Sequence, residues 1–269
     1  MEHHPIFSDF IPKSEFIKDS FLGTVSRREF TSETMREGPD SVGSAGLPAF
    51  NEEYFEWIDL LESIKAWNPG NGPYTFMELG AGYGRWSVRA AIAKPLARII
   101  AVEAEPTHFK WMKQNFLDNG LASDRYKLKQ AAVSDTAGGC LFMTGRPAEW
   151  YGQRILQPGE SSASAETVCT VTLAALLGND PFLVDLIDMD IQGSEYLVLR
   201  AGIEDVNAKV KRLHIATHSD EIEHRLMELL EAQEWEYRWN YGCGRKYETP
   251  YGDIKFQDGV QSWVNKRFL

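Results

Sequence analysis

The fold is decided by the stretch Glu78-Leu79-Gly80-Ala81-Gly82-Tyr83-Gly84, which closes a short apolar run that begins at Tyr74. The apolar run predicts a buried strand, and the glycines predict a sharp turn into a helix over residues 86–93. Gly80 and Gly82 let the backbone approach a ligand closely, because glycine has no Cβ. A strand, a glycine turn and a helix in this order indicate the start of a βαβ unit with a ligand at the turn.

Strand and helix signals alternate from this turn to the end of the sequence. Further strands are predicted at residues 98–103, 126–133, 182–189, 211–218, 235–239 and 261–268, whereas residues 138–166 are predicted to be irregular. Repeated βα units imply a mostly parallel sheet with helices on both faces, and the last two strands predict an antiparallel hairpin at one edge. Residues 73–269 are therefore predicted to form a doubly wound α/β domain with a seven-stranded sheet.

Residues 1–72 lack this alternation and are interpreted as an N-terminal extension. Residues 22–48 are rich in Gly, Ser, Thr and charged residues, which predicts a loop. A helix is predicted to follow, with Asn51 as its N-cap and Asn68-Pro69-Gly70 as its end. Long loops of this kind are often lids, so the loop and the helix are predicted to cover the acceptor site.

The second strand ends in Glu103, 25 positions after Glu78, where a carboxylate can accept hydrogen bonds from two ribose hydroxyls. A dinucleotide motif would have a third glycine at the position of Arg85. Glu78, an acid at the end of the first strand, suits a cationic ligand that bears an amino acid better than it suits pyrophosphate. The residues therefore favour S-adenosylmethionine as cofactor, with a nicotinamide-dependent oxidoreductase as the alternative.

The ends of the fourth and fifth strands carry Asp190 and His218, which are the candidate catalytic residues. An alcohol is a poor nucleophile while protonated, so methyl transfer to a hydroxyl calls for a base or a metal. We predict His218 as the general base or as the group that orients the acceptor hydroxyl, with Asp190 assisting. Asp190 could equally cap the following helix, and His218 could be an ordinary hydrogen-bonded histidine. Asp188, Asp190 and Glu195 also leave a divalent metal open, with no site assigned.

Composition narrows the classes of partner. A formal net charge of −11 disfavours a nucleic-acid partner, because nucleic-acid binding needs a basic surface. Three widely spaced cysteines show neither zinc spacing nor a disulfide framework, and the N-terminal residues lack the features of a signal peptide. No apolar stretch is long enough for a membrane span. We therefore expect a cytoplasmic protein with a small-molecule, sugar or lipid acceptor; a homo-oligomer and an inactive binding module remain open.

Several segments together resemble the FkbM family of class I methyltransferases. They are the glycine turn, Val102-Glu103-Ala104-Glu105-Pro106, Asp188-Met189-Asp190-Ile191-Gln192-Gly193-Ser194-Glu195, His214-Ile215-Ala216-Thr217-His218 and Thr249-Pro250-Tyr251-Gly252-Asp253-Ile254. The resemblance covers residues 74–269 and implies O-methylation of hydroxyl groups on sugars, lipids or secondary metabolites. Gln192 stands where the family often has Glu, and Ala216-Thr217-His218 stands where it often has Glu-x-His. Roles of those two glutamates are therefore not transferred.

The resemblance also implies roles for individual residues around the cofactor. Glu78 is expected near the methionine ammonium, the turn along the methionine moiety, Glu103 at the ribose, and residues 131–135 at the adenine. The complete set of expected cofactor-binding residues is Glu78, Gly80, Ala81, Gly82, Glu103, Ala104, Ala132 and Ser134.

Overall fold

The computed structural model describes residues 16–19, 21–31, 47–48, 50–148, 151–178 and 181–269. The helices are α1 (Glu53–Ala66), α2 (Arg85–Ala93), α3 (Pro106–Asp118), α4 (Leu173–Leu177), α5 (Glu195–Lys209) and α6 (Asp220–Ala232). The strands are β1 (Phe16–Lys18), β2 (Val25–Arg27), β3 (Thr75–Leu79), β4 (Arg98–Glu103), β5 (Tyr126–Gln130), β6 (Ala132–Val133), β7 (Gly138–Met143), β8 (Arg154–Ile155), β9 (Ala165–Val171), β10 (Leu186–Met189), β11 (Arg212–Thr217), β12 (Trp235–Tyr241), β13 (Lys246–Thr249), β14 (Gly252–Lys255) and β15 (Gly259–Asn265).

The central sheet has seven strands in the order β12-β15-β11-β10-β3-β4-β5. Neighbours from β11 to β5 are parallel, and β15 is antiparallel to both β11 and β12, so the sheet is mixed. The predicted α/β fold is confirmed. The predicted edge hairpin is corrected: β12 and β15 do pair, but β13 and β14 lie between them in sequence and form a separate sheet. The chain changes direction across the sheet between β3 and β10, which is where α/β sheets bind ligands.

The sheet is covered on both faces, because successive side chains of a strand point to opposite sides. One face packs against α4, α5 and α6 in a core that includes Leu79, Met189 and Leu226. The other face packs against α1, α2 and α3 in a core that includes Trp57 and Phe76. Since Trp57 belongs to α1, the helix at the end of the predicted extension contributes to the core of the main domain.

The segment predicted to be irregular, residues 138–166, contains strands, and that prediction was wrong. It contributes β7 and β8, and the beginning of β9, to a four-stranded sheet in the order β6-β9-β7-β8. The predicted third strand is also divided, because β5 pairs with β4 whereas β6 pairs with β9. The small sheet buries only a few side chains, among them Phe142 and Val168, against Ala104 and Ala132. Its glycines and exposed polar residues therefore hid the strand pattern.

Residues 16–19 and 21–31, here called the N-terminal strap, lie against α3. Arg27 forms a salt bridge of 2.6 Å with Asp118, and the backbone of Val25 both donates to and accepts from the side chain of Asn119. Most of the predicted lid, residues 32–46, lies outside the described residues. The helix after it begins at Glu53, and its N-cap residue makes no side-chain capping bond, which differs from the predicted Asn51 cap. Within the described chain, no helix is long and apolar enough to span a bilayer.

Candidate functional site

A cavity of about 550 Å³, counting its open mouth, lies at the carboxyl ends of β3, β4 and β10. Its walls are formed by Gly80, Gly82, Val102, Glu103, Ala104, His108, Ala131, Ala132, Val133, Phe142, Tyr151, Gln153, Ile155, Asp190, Ile191 and Gln192. Five of the eight residues predicted to bind the cofactor line it: Gly80, Gly82, Glu103, Ala104 and Ala132.

The glycine turn is held tightly between two strands. The amides of Gly80 and Ala81 both donate to the carbonyl of Val102, at 3.0 and 2.9 Å. Gly80 has φ +82°, and a Cβ on it would lie 1.7 Å from the carbonyl oxygen of Asp190. Only glycine fits this position, because any side chain would push the end of β10 away from the turn.

Glu103 places a carboxylate on the wall of the cavity. Its Oε2 accepts from the amide of Gly82 and its Oε1 accepts from the amide of Glu105, each at 2.6 Å. Burial raises the pKa of Glu103 to about 7, although these amide hydrogen bonds oppose the shift. A carboxylate beside Gly80 and Gly82, which have no side chains, suits the ribose of a nucleoside ligand, so the residues fit S-adenosylmethionine.

Three predicted cofactor residues do not line the cavity. Glu78 is buried, and its carboxylate accepts from the amide of Ser87 at 2.8 Å, in the first turn of α2. Ala81 packs in the core beside α1, α2 and α3. Ser134 donates its amide to the carbonyl of Val171 and its hydroxyl to Asp135. In this structure these side chains therefore face the core or the surface.

Asp190 and His218, the predicted catalytic residues, lie together, and Asp190 lines the cavity. His218 Nε2 is 3.3 Å from Asp190 Oδ1, an ion-pair distance at which the two atoms are not aligned as a hydrogen bond. Asp190 lines the cavity, and its side chain is 48% exposed. The alternative in which Asp190 caps α5 is not observed, because the N-cap residue is Ser194 and no side chain caps the helix. Asp190 Oδ1 instead accepts from the amide of the Gln192 side chain at 2.8 Å.

Glu195 is a second acidic partner of His218. Its side chain is completely buried, and Oε1 accepts from His218 Nδ1 at 2.9 Å and from the amide of Gly193 at 3.0 Å. Burial alone would lower the pKa of His218, but contacts with Asp190 and Glu195 outweigh it and raise the pKa to about 11. His218 is therefore an imidazolium at neutral pH, which favours its predicted orienting role over its predicted role as a base.

Sequence reasoning missed two partners of His218. Glu195 was considered only as a metal ligand, and Asp258 was not considered; Asp258 Oδ1 lies 3.9 Å from His218 Nε2. Glu195 is 23 positions and Asp258 is 40 positions from His218, so no local pattern links them. Only the strand order brings these three side chains to one place.

One layer below the cavity, polar residues lie side by side on four neighbouring strands. We call this set the buried acid row: Glu78 on β3, Asp188 on β10, His214 on β11 and Ser262 on β15, which are paired in register. α1 covers the row with Glu56 and Asp59, and Asp59 contacts both His214 and Ser262. Burial raises the pKa of Asp188 to about 6 and that of Glu78 to about 8.

The acids considered for a metal do not converge. Asp188 belongs to the buried acid row, whereas Asp190 and Glu195 surround His218. Among the described residues, two other groups have ligand atoms close enough to share an ion: Glu56 with Asp188 and His214, and Asp220 with Glu223 and Cys243. A metal therefore stays unassigned.

Comparisons with known proteins identify the family. The model of the methyltransferase FkbM domain matches residues 78–241, more than half of the chain. A putative methyltransferase from Jannaschia sp. (strain CCS1) is 27% identical over 194 residues, which cover 67% of either chain.

Solved structures are similar at lower identity. Methyltransferase FkbM from Methylobacillus flagellatus KT has a TM-score of 0.47 and 13% identity, over 75% of this chain and 47% of that one. Precorrin-6y C5,15-methyltransferase from Geobacter metallireducens GS-15 has a TM-score of 0.46 and 12% identity, over 80% and 89%. The Streptococcus pneumoniae protein Sp1610, a putative tRNA (m1A22) methyltransferase, has a TM-score of 0.45 and 11% identity, over 80% and 71%. On the match of the family model, the chain belongs to the FkbM family of S-adenosylmethionine-dependent methyltransferases.

Proposed function

We propose that the protein is an O-methyltransferase that methylates a hydroxyl group of a small molecule, a sugar or a lipid-linked metabolite. The observation that supports this most is the position of Asp190, which lines the cavity and at the same time contacts His218. A carboxylate at this point can receive the proton that a hydroxyl must lose. The cavity for the cofactor and the carboxylate that accepts the proton are therefore adjacent, as a methyl transfer to oxygen requires.

In this proposal the cofactor-binding residues act mainly by position. Glu103 holds the ribose hydroxyls, and Gly80 and Gly82 let the chain follow the methionine moiety closely. Ala104 and Ala132 leave room for a flat ring, while Glu78, Ala81 and Ser134 support the surrounding backbone. When bound, S-adenosylmethionine supplies an electrophilic methyl group, whose bond to sulfur breaks as the new bond to the acceptor oxygen forms.

The proton of the acceptor hydroxyl passes to Asp190. His218 is already protonated, so it has no free nitrogen lone pair to accept the proton. Its positive charge instead stabilises the negative charge that develops on the acceptor oxygen, and Glu195 holds the ring in place through Nδ1. Asp190 is thus the base and His218 the orienting cation, which for His218 is the second of its two predicted roles.

Charge supports a small acceptor over a nucleic acid. The net charge of −11 repels phosphate backbones, and the carboxylate of Asp190, which lines the cavity, adds negative charge there. A neutral or cationic hydroxylated molecule meets no such repulsion.

An acceptor screen with S-adenosylmethionine tests the proposal. Wild-type protein should methylate at least one class of hydroxylated compound, and Asp190→Asn should lower kcat by about 100-fold or more with cofactor affinity nearly unchanged. His224→Ala, at an exposed histidine of α6, serves as the control for a distant charged site. Methylation confined to amines, thiols or RNA would contradict the proposed acceptor class.

The pH dependence of the rate distinguishes the two roles of His218. Because its pKa is raised to about 11, His218 keeps its proton throughout pH 6–9, and acidification across that range should cause no loss of rate through His218. His218→Ala should still lower kcat by about 100-fold, since the cation is lost. A nitrogen-15 NMR titration of the ring measures its protonation directly. A neutral ring at pH 8 would restore His218 as the base.

A further inference from the structure

We propose that Tyr151 is a cofactor-retaining residue and that the N-terminal strap holds it in place. The strap would then control how tightly S-adenosylmethionine is bound, and would not act only as a cover over the acceptor. This inference rests on the proposed cofactor cavity.

The ring of Tyr151 forms one wall of that cavity beside the glycine turn. A Cβ added to Gly82 would lie 3.1 Å from Tyr151 Cε1, so the ring rests directly on the turn. The same ring stacks on the imidazole of His108, with the ring centres 4.3 Å apart and the planes 5° from parallel. Tyr151 thus bridges the turn after β3 and the first part of α3.

His108 gives the wall a fixed partner. Its Nε2 lies 2.9 Å from the carbonyl of Pro147, and its amide donates to the side chain of Glu105 at 2.6 Å. Burial lowers the pKa of His108 to about 4, so the imidazole is neutral at physiological pH. The stack therefore persists without a change of charge, and the position of Tyr151 depends on what holds its other end.

The strap holds that other end. The hydroxyl of Tyr151 donates to the carbonyl of Phe30 at 2.5 Å, across 121 positions of sequence. Phe30 is completely buried, and its ring packs against Tyr83 of the glycine turn and against Trp111 of α3. Residues of the strap therefore touch the turn through one ring and the cavity wall through one hydrogen bond.

The strap is itself anchored away from the cavity. Arg27 makes two hydrogen bonds to Asp118 at the end of α3, at 2.6 and 3.0 Å. If the strap is released, the carbonyl of Phe30 moves and the hydroxyl of Tyr151 loses this hydrogen-bond acceptor. The ring can then rotate off Gly82, which opens the wall beside Glu103 and lets the cofactor leave faster.

The substitution Tyr151→Phe tests the hydrogen bond between Tyr151 and Phe30, because it removes the hydroxyl and keeps the ring. We expect Kd and KM for S-adenosylmethionine to rise about fivefold to tenfold, with kcat at saturating cofactor unchanged. Tyr237→Phe, at an exposed tyrosine of β12, is the matched control and should change neither. Calorimetry gives Kd, and stopped-flow displacement should show the change in the dissociation rate.

The substitution Arg27→Ala is a second test, and it changes no residue of the cavity wall. It should raise Kd by a smaller factor, and its effect should disappear in the double variant with Tyr151→Phe, since both act through one bond. Unchanged cofactor affinity in Tyr151→Phe, or fully additive effects in the double variant, would overturn the inference while the proposed function stands. Wild-type protein that binds no S-adenosylmethionine would overturn the proposed function itself.

Discussion

Two neighbouring layers of the sheet contain acids near the ends of strands, and their surroundings differ. The edge layer contains Glu103, and the enclosed layer contains Glu78 and Asp188. Ala101 is paired with Glu78, so Glu103 lies two residues, about 7 Å, closer to the edge. Glu103 there accepts from backbone amides on the wall of the cavity. One layer below, Asp188 meets Glu56 of α1, and Glu78 is enclosed where it accepts from the amide of Ser87. Burial raises the pKa of acids in both layers. Two residues of register therefore separate a carboxylate that can bind a ligand from one that is enclosed.

The largest effect is expected from Gly80→Ala, which disrupts the backbone of the glycine turn beside Glu103. The added Cβ would overlap the carbonyl of Asp190, so the turn and the end of β10 must separate. We expect S-adenosylmethionine affinity to fall by at least about 100-fold, together with a lower Tm. Calorimetry and thermal denaturation measure the two quantities.

Gly120→Ala is the control for backbone strain alone. Gly120 also has a positive φ, +68°, but a Cβ there would meet nothing within 4 Å. It should cost about 1–2 kcal/mol of stability and leave cofactor affinity intact. Equal losses of affinity in the two variants would mean that the close approach of Asp190 to the turn is not what positions the cofactor.

A smaller effect is expected from Glu103→Ala, which removes the ligand-facing carboxylate. Loss of charge-assisted hydrogen bonds to two hydroxyls should weaken S-adenosylmethionine binding by at least tenfold while the protein stays folded. The pKa of Glu103 is raised to about 7, so the fraction of free protein with an ionised carboxylate increases as pH rises through 7. Wild-type affinity should therefore be higher at pH 8 than at pH 6, and Glu103→Ala should remove that difference.

Glu236→Gln, on an exposed position of β12, provides the comparison for a distant acid. Calorimetry at the two pH values measures all three proteins. If Glu103→Ala bound the cofactor normally, the edge layer would not be the ribose site.

The residues predicted correctly from sequence depend on local patterns. The glycine turn and the bounds of β4 follow from strand and turn chemistry within a few residues. Glu78 was placed correctly at the end of β3, but its side chain is enclosed beside α2 and does not line the cavity. Its role near the methionine ammonium stays a prediction.

Contacts between residues far apart in the sequence could not be predicted, for a different reason. The raised pKa of His218 depends on Asp190 and Glu195, and the hydroxyl of Tyr151 donates to the carbonyl of Phe30, which is 121 residues away. Pairs of this kind are fixed by the strand order and by packing. No spacing rule within one segment can indicate them.

The smallest effect is expected from Asp188→Asn, which changes the enclosed layer and leaves the edge layer intact. Folding raises the pKa of Asp188 from 3.8 to about 6 and that of Glu78 from 4.5 to about 8. The folded protein thus binds more protons than the unfolded chain at intermediate pH. The free energy of unfolding is highest below about pH 4 for these groups, and falls as pH rises through 6 and 8. Asp188→Asn removes one of the acids, so the fall should become shallower.

At pH 8 the Asp188→Asn variant should have a Tm about 2–4 °C above wild type, the shift that roughly 1 kcal/mol produces in a domain of this size. Asp124→Asn, at an exposed position before β5, should leave both Tm and its pH dependence unchanged. Cofactor affinity should stay within about twofold of wild type in both variants, because neither side chain reaches the cavity. A lower Tm for Asp188→Asn at pH 8 would show that the ionised carboxylate of Asp188 stabilises the fold, through His214 or through a bound cation. In that case both layers would contain an ionised carboxylate with a role: ligand binding in the edge layer and stability of the fold in the enclosed layer.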